Sequence, residues 1–323
     1  MTRSRFVSLV GVVTLAAAAA GAQVVQVDQT VPEYQRGPAV SGNLNSVGSD
    51  TMNNLMTYWS EGFAKMYPTV RVQVEGKGSS TAPPALIAGT SQFGPMSRAM
   101  TPAEADAIEK KYGFPPTQVR TALDTIGVYV NKDNPLPSIS VSELDAVFSK
   151  TRKAGYPTDI TTWGQLGLKG EWANKPISVF GRNSASGTYG FFKEHALAKG
   201  DYKDTVKEQP GSASVVQGVS EDLYAIGYSG IGYRTSGVRA LPLAPKAGAP
   251  AVEPNYANAL SKAYPLSRYL FLYVVRDPRR PMDPLTKEFL KFVLSREGQE
   301  IVVKDGFLPL PAKVVEEELA KLK

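Results

Sequence analysis

Strand and helix patterns alternate along this 323-residue chain, and the alternation predicts an α/β architecture with largely parallel sheets. Length supplies a second observation, because a chain of this size can bury two separate cores and so form two lobes. The third is local: several strand-to-helix turns are built from glycine, serine and threonine.

Taken in order, Met52, Leu55, Met56, Trp59, Phe63 and Met66 recur at helical spacing and give one apolar face, whose plainest use is core packing. Val70, Val72 and Val74 then alternate with polar residues, as a strand does. "TPAEADAIEKKYG" places Thr101 as N-cap, Pro102 in the first turn, Glu104 to complete a capping box and Gly113 to close the helix. "TIGVYV" (125–130) reads as a buried strand, and Ser140 with Glu143 caps another helix. "ISVFGR" (177–182) is a strand that runs into "RNSASGTYG", after which a helix extends to Gly200. "VVQGVSEDL" is helical, "AIGYSG" a short strand and turn, and "LFLYVVR" (270–276) a strand. Residues 283–304 and 311–323 read as terminal helices.

The first residues differ from the rest. Arg3 and Arg5 precede an apolar stretch from Phe6 to Ala20, and Ala20-Gly21-Ala22 has the small-x-small pattern of a cleavage site. Residues 1–22 are therefore expected to be a secretory signal peptide, too short in its apolar run for a membrane span. Residues 23–42, polar with Pro32 and Pro38, are expected to form a flexible leader. The chain has no cysteine, hence no disulfide framework and no thiol for lipid attachment after the signal, which suggests a periplasmic protein free in its compartment. Removing Arg3 and Arg5 with the signal leaves 34 cations against 30 anions, a net of +4. With the cations scattered and no arginine-rich tract, nucleic acid is not an expected partner.

Four segments share one chemistry. "VGSDTMNNL" carries Ser49, Asp50 and Thr51 just ahead of the first helix, and "VEGKGSSTAPPALIAG" places Ser79 between a strand and a helix. "FGPMSRAM" carries Ser97 and Arg98, and "GRNSASGTYG" carries Arg182, Ser186, Gly187 and Thr188. A helix start exposes unpaired N–H groups and partial positive charge, glycine admits close backbone approach, and hydroxyls and an arginine fork add donors. Each segment alone is equally a structural N-cap. "EGKGSS" lacks the spacing of a phosphate loop. Their convergence in one secreted chain points to an oxyanion.

In order and spacing, "GSDT", "GKGSS", "FGPMSR", "NKDNPL", "ITTWGQL", "RNSASGT", "AIGYSG" and "GFLPLP" resemble the periplasmic phosphate-binding proteins of ABC phosphate importers, over roughly residues 44–312. The resemblance implies a two-lobed periplasmic binding protein fold of type II, with two crossover strands and a central ligand cleft. Residues 43–122 with 266–323 would form one lobe and 123–265 the other, with crossings near Leu123 and Leu266 as hinge. It implies inorganic phosphate as ligand, held by Ser49, Asp50, Thr51, Ser79, Ser97, Arg98, Arg182, Ser186, Gly187 and Thr188, and a membrane permease complex as partner of a monomer. No cofactor and no metal are implied. One departure bears on selectivity: many members have an aspartate where this chain reads Ser97-Arg98. A buried carboxylate accepts the proton that phosphate carries near neutral pH and repels sulfate, which has none. Asp50 is the candidate for that acceptor, unless it serves as an N-cap and points elsewhere.

Other readings remain open on the residues alone. The same fold could take sulfate, molybdate or tungstate, which competition among anions would reveal. A secreted phosphatase using Ser186 or Thr188 would need a base and a metal cluster. The single histidine, His195, lies two turns into a helix among Phe191, Phe192 and Leu197, and neither a His-based metal site nor a G-x-S-x-G elbow is present.

Overall fold

A computed structural model of the chain describes residues 25–323, so the expected signal peptide lies outside the described residues. Strand β1 (Gly42–Gly48) leads through a 3-10 turn at Asp50–Met52 into helix α1 (Asn53–Met66), followed by β2 (Val70–Gly76). A second 3-10 turn at Ser79–Thr81 opens α2 (Ala82–Ala88), and β3 (Gly94–Met96) and α3 (Pro102–Tyr112) follow. The Thr101–Glu104 capping box forms, and Gly113 ends α3 in the left-handed region at φ 84°.

The chain then crosses on β4 (Thr117–Asn131), fifteen residues long and buried from Thr121 onward. Beyond it lie β5 (Ile139–Ser140), α4 (Val141–Phe148), β6 (Ser178–Arg182), α5 (Gly187–His195) and β7 (Lys207–Gln209). Next come α6 (Ser212–Glu221), β8 (Ala225–Gly230), β9 (Val238–Ala240), β10 (Leu243–Ala244) and α7 (Tyr256–Leu260). Strand β11 (Ser267–Val274) returns the chain, which ends in α8 (Pro284–Val293), α9 (Arg296–Lys304) and α10 (Ala312–Ala320).

Two large apolar clusters dominate the interior. The first gathers Leu44, Trp59, Phe63, Ala122, Leu123, Leu270, Phe289 and Phe307, the second Ile126, Val128, Phe148, Trp163, Phe192, Tyr228 and Leu266. Strand β4 therefore changes cluster at Asp124 and Thr125, and β11 does so between Leu266 and Leu270.

The sheets are less parallel than alternation alone suggests. Parallel pairs join β1 to β2 and β6 to both β7 and β8, but β4 runs antiparallel to β8, β9 and β11. The cause is the pair of crossovers: a chain that leaves on β4 and returns alongside it on β11 must reverse direction. The helix expected to reach Gly200 stops at His195, and Ala198 and Lys199 adopt positive φ.

The stretch expected to be a flexible leader is instead docked from Val25 on. Val31 is fully buried in the first cluster, the Tyr34 hydroxyl donates to Glu288 at 2.7 Å, and Arg296 N–H donates to the Pro32 carbonyl at 2.8 Å. Its prolines and polar residues suit an extended strap whose few apolar side chains supply the anchorage.

Candidate functional site

Three helical starts and one strand end meet where the two lobes touch. From the first lobe come the turns beginning at Asp50 and Ser79, and from the second the start of α5 and the end of β6. Backbone contact between the lobes is close. Ser80 N–H donates to the Ala185 carbonyl at 3.1 Å, and the Tyr233 hydroxyl to the Asp50 carbonyl at 3.0 Å. Gly78, at φ 114°, leaves only 2.5 Å between the Ala185 carbonyl oxygen and any Cβ it could carry. At Gly187 a Cβ would overlap Ser79 Oγ and stand 2.7 Å from Ser97 Oγ, so α5 begins with its backbone pressed on both hydroxyls.

Arg182 closes β6 and is 1% exposed. Its Nη1 donates to Ser212 Oγ at 2.7 Å, and its Nη2 donates to the Pro210 carbonyl at 3.0 Å and lies 3.2 Å from Asp50 Oδ2. Asp50 Oδ2 also accepts the Ser212 N–H at the start of α6, at 2.8 Å. Asp50 thus spans the lobes and fixes Arg182. Burial pushes the guanidinium below its ordinary pKa, and the Asp50 charge opposes that shift. Ser186 caps α5 by accepting from Thr188 N–H at 3.1 Å, which leaves its own hydroxyl proton free to donate. Thr188 Oγ1 lies 2.9 Å from Thr51 Oγ1 in the other lobe, and Ser97 N–H donates to Ser79 Oγ at 3.0 Å.

These contacts join eight of the ten sequence-derived site residues, and Ser49 lies buried just ahead of Asp50 with its hydroxyl unpartnered. Arg98 is held by a separate ion pair. Its two Nη groups are both taken by Glu104 at 2.7 Å, with Nη2 also reaching Ser80 Oγ at 3.3 Å. Glu104, placed by the α3 capping box, pairs with Arg98 as Asp50 pairs with Arg182.

The sequence reading missed a second buried pair. Asp124 on β4 and Arg268 on β11 face each other across the crossover strands, and Asp124 Oδ2 accepts from Arg268 Nε at 2.9 Å and Nη2 at 2.8 Å. Asp124 Oδ1 accepts the Ile231 N–H at 3.1 Å, and Arg268 Nη2 also donates to Thr188 Oγ1 at 2.9 Å. Burial raises the Asp124 pKa and Arg268 opposes it; the same burial lowers that of Arg268. A signal was available: "TALDTIGVYV" and "SRYLFLYVV" each set one charge in an apolar run, and a charge buried by such a run needs a partner.

Several buried polar atoms of these segments have no protein partner: Ser49 Oγ, Thr125 Oγ1, Arg182 Nε and Arg268 Nη1. Such atoms are rare in folded chains, and these four are hydroxyl and guanidinium groups able to donate, carried by the segments that join the two lobes. The arrangement can hold a small tetrahedral oxyanion. No cluster of three or more metal-ligating side chains occurs among the described residues. Burial lowers the His195 pKa, and the ring packs on Phe191 at 4.1 Å.

The sequence profile of the PBP superfamily domain matches residues 34–297. The chain belongs to the PBP superfamily. It is 54% identical over 316 residues to the phosphate-binding protein PstS of Pseudomonas aeruginosa, covering 97% of this chain and 98% of that protein. Protein SphX of Synechococcus elongatus is 29% identical over 86% of this chain and 81% of its own length. Among solved structures, a Clostridium perfringens phosphate ABC transporter substrate-binding protein with bound phosphate superposes at a TM-score of 0.70. It shares 27% identity, over 83% of this chain and 100% of that one. A Vibrio cholerae ABC-type phosphate transport receptor shares the fold at a TM-score of 0.65 and 23% identity, over 83% and 100% of the two chains. The two-lobed α/β fold is that of these binding proteins.

Proposed function

We propose that the protein captures inorganic phosphate between its lobes and hands it to an ABC importer, breaking no bond. The observation that carries this reading is the convergence of Arg182 with the Asp50, Ser79 and Gly187 helical starts on donors that lack protein partners. Arg182 and the Ser79, Ser186 and Thr188 hydroxyls would bind the anion, with backbone N–H groups near Thr51 and Gly187 completing the donor set. Ser49 and Ser97 would orient the first and second loops. Asp50 would act through Arg182, since its Oδ2 is already engaged there.

Lobes of 43–122 with 266–323, and of 123–265, would close about Asp124–Thr125 and Leu266–Leu270, where the strands change cluster. The Asp124–Arg268 pair lies on that hinge and bonds Thr188. It would report closure to the anion, and Asp124 Oδ1, which accepts only the Ile231 N–H, would be the buried acceptor that selects a protonated anion over sulfate. Removal of a signal peptide would leave a monomer in the periplasm, where closed lobes present one surface to the permease. Among the described residues no helix is long and apolar enough to cross a membrane.

Calorimetric titration of the refolded, anion-free chain tests the reading, with sulfate and molybdate as competitors. One-to-one phosphate binding unaffected by excess sulfate is expected. Response to another oxyanion alone would change the substrate and keep the fold, and silence toward all would remove the receptor function.

A further inference from the structure

The second lobe brings two elements to the anion site, the end of β6 and the start of α5, and a chain of tyrosine hydroxyls joins them. Pairing of β6 with β8 ends at Phe180 opposite Gly227. Beyond that point the Arg182 N–H donates to the Tyr228 hydroxyl at 3.2 Å. Tyr228 Oη lies 2.9 Å from Tyr202 Oη, and the Tyr202 hydroxyl donates to the Tyr189 carbonyl at 3.0 Å. Tyr189 sits in the first turn of α5, directly after Gly187 and Thr188.

One assignment of protons satisfies all three contacts. A carbonyl can only accept, so Tyr202 gives its proton to Tyr189, and its oxygen must accept from Tyr228. Tyr228 in turn accepts from Arg182. The donors thus point one way from β6 to α5, and each bond polarises the next. Burial pushes both phenol pKa values up, which keeps both protons in place. Packing holds the rings: Tyr228, fully buried, stacks on Phe192 at 3.9 Å, and Tyr202 stacks on Tyr189 at 4.5 Å. Gly181 lets the β6 backbone lie against this stack, since a Cβ there would stand 3.2 Å from the Tyr228 ring. We propose that Tyr228 and Tyr202 are positioning residues for the anion, holding the Arg182 backbone in register with the Ser186–Thr188 helix start so that both grip one ligand. The inference rests on the phosphate-binding reading and deepens it. Both hydroxyl protons are engaged, so the two tyrosines act through Arg182 and α5. Asp50 and Ser212 fix the guanidinium, whereas Tyr228 fixes the strand end that carries it.

The test titrates the full refolded chain with inorganic phosphate, alongside Tyr228→Phe, Tyr202→Phe and Leu144→Ala, and follows the thermal unfolding of each. Leu144 is buried in the same apolar cluster as Tyr228 and controls for lost stability. Tyr228→Phe keeps the ring and removes the acceptor of Arg182, and is expected to weaken phosphate by about five- to thirtyfold. Tyr202→Phe breaks the next link and is expected to cost at least about threefold. Leu144→Ala is expected to lower the Tm and leave the Kd within about twofold. A Kd shift below about threefold in either folded tyrosine variant, whatever its Tm, would make the chain merely structural and overturn the inference, leaving the phosphate reading intact. An affinity loss in Leu144→Ala equal to that in Tyr228→Phe would overturn it as well. If Tyr228→Phe does not fold, Tyr202→Phe decides by the same threshold. Failure of the parent chain to bind phosphate would overturn both readings.

Discussion

Replacing Arg182 with alanine removes the one guanidinium that joins the end of β6, the start of α6 and Asp50. Its Nη atoms hold Ser212 Oγ at 2.7 Å, the Pro210 carbonyl at 3.0 Å and Asp50 at 3.2 Å, while its buried Nε has no protein partner. One or two charge-assisted bonds to an anion at about 1.5–3 kcal/mol each give a loss of roughly 2–5 kcal/mol. That corresponds to a Kd weaker by roughly 30- to several thousand-fold. A second effect has the same sign: Asp50 then faces the cleft uncompensated and repels the anion. Adding Asp50→Asn to Arg182→Ala should therefore recover part of the affinity, a coupling that separates repulsion from lost donors. Calorimetric titration reads each variant, and thermal unfolding without phosphate checks that each folds. A folded Arg182→Ala protein whose Kd moves by less than about threefold, or an equal loss in Arg98→Ala, would refute the reasoning.

Four other outcomes follow from the same geometry. Asp124→Asn should weaken phosphate by at least about tenfold and let sulfate compete, read by competition titration; unchanged exclusion of sulfate would assign selectivity elsewhere. Gly187→Ala should cost about 1–3 kcal/mol of closure, because its methyl group meets Ser79 and Ser97 across the lobes; phosphate affinity measures the loss. Asp305 has its pKa raised to about 7 by burial, and its Oδ2 has no partner. The folded state then binds the extra proton, so this group's stabilisation is complete below about pH 4 and is lost as pH rises through about 7. Asp305→Asn should accordingly raise the Tm at pH 8 and leave it unchanged near pH 4. Val31→Ala should lower stability by about 1–2 kcal/mol in denaturant titrations, since the docked strap buries that side chain fully.

The local elements were legible because each carries its own signal. Thr101 with Glu104, Ser140 with Glu143 and the α1 apolar stripe are short-range patterns, and the structure forms all three. Helix starts that carry Asp50, Ser79 and Gly187 could be read from residue type and place. What lay beyond reach was which side chains pair with which. Nothing near Arg98 in sequence says that Glu104 will take its fork, rather than serve only the cap. Nothing near Asp124 names Arg268, 144 residues away, as its partner. The strap from Val25 to Pro38 was misread because proline and polar residues suggest mobility, while anchorage rests on single contacts from Val31 and Tyr34 to distant helices. Antiparallel pairing of β4 likewise depends on where β11 returns, which local alternation does not encode.

A crystal structure grown with arsenate, a tetrahedral oxyanion of the same charge pattern as phosphate, tests the central claim most directly. Its anomalous signal locates the anion independently of the refined chain. One peak is expected between the lobes, within hydrogen-bond reach of Arg182, Ser79 and Thr188. A peak elsewhere on the surface, with that cleft empty in a protein that binds phosphate, would contradict it.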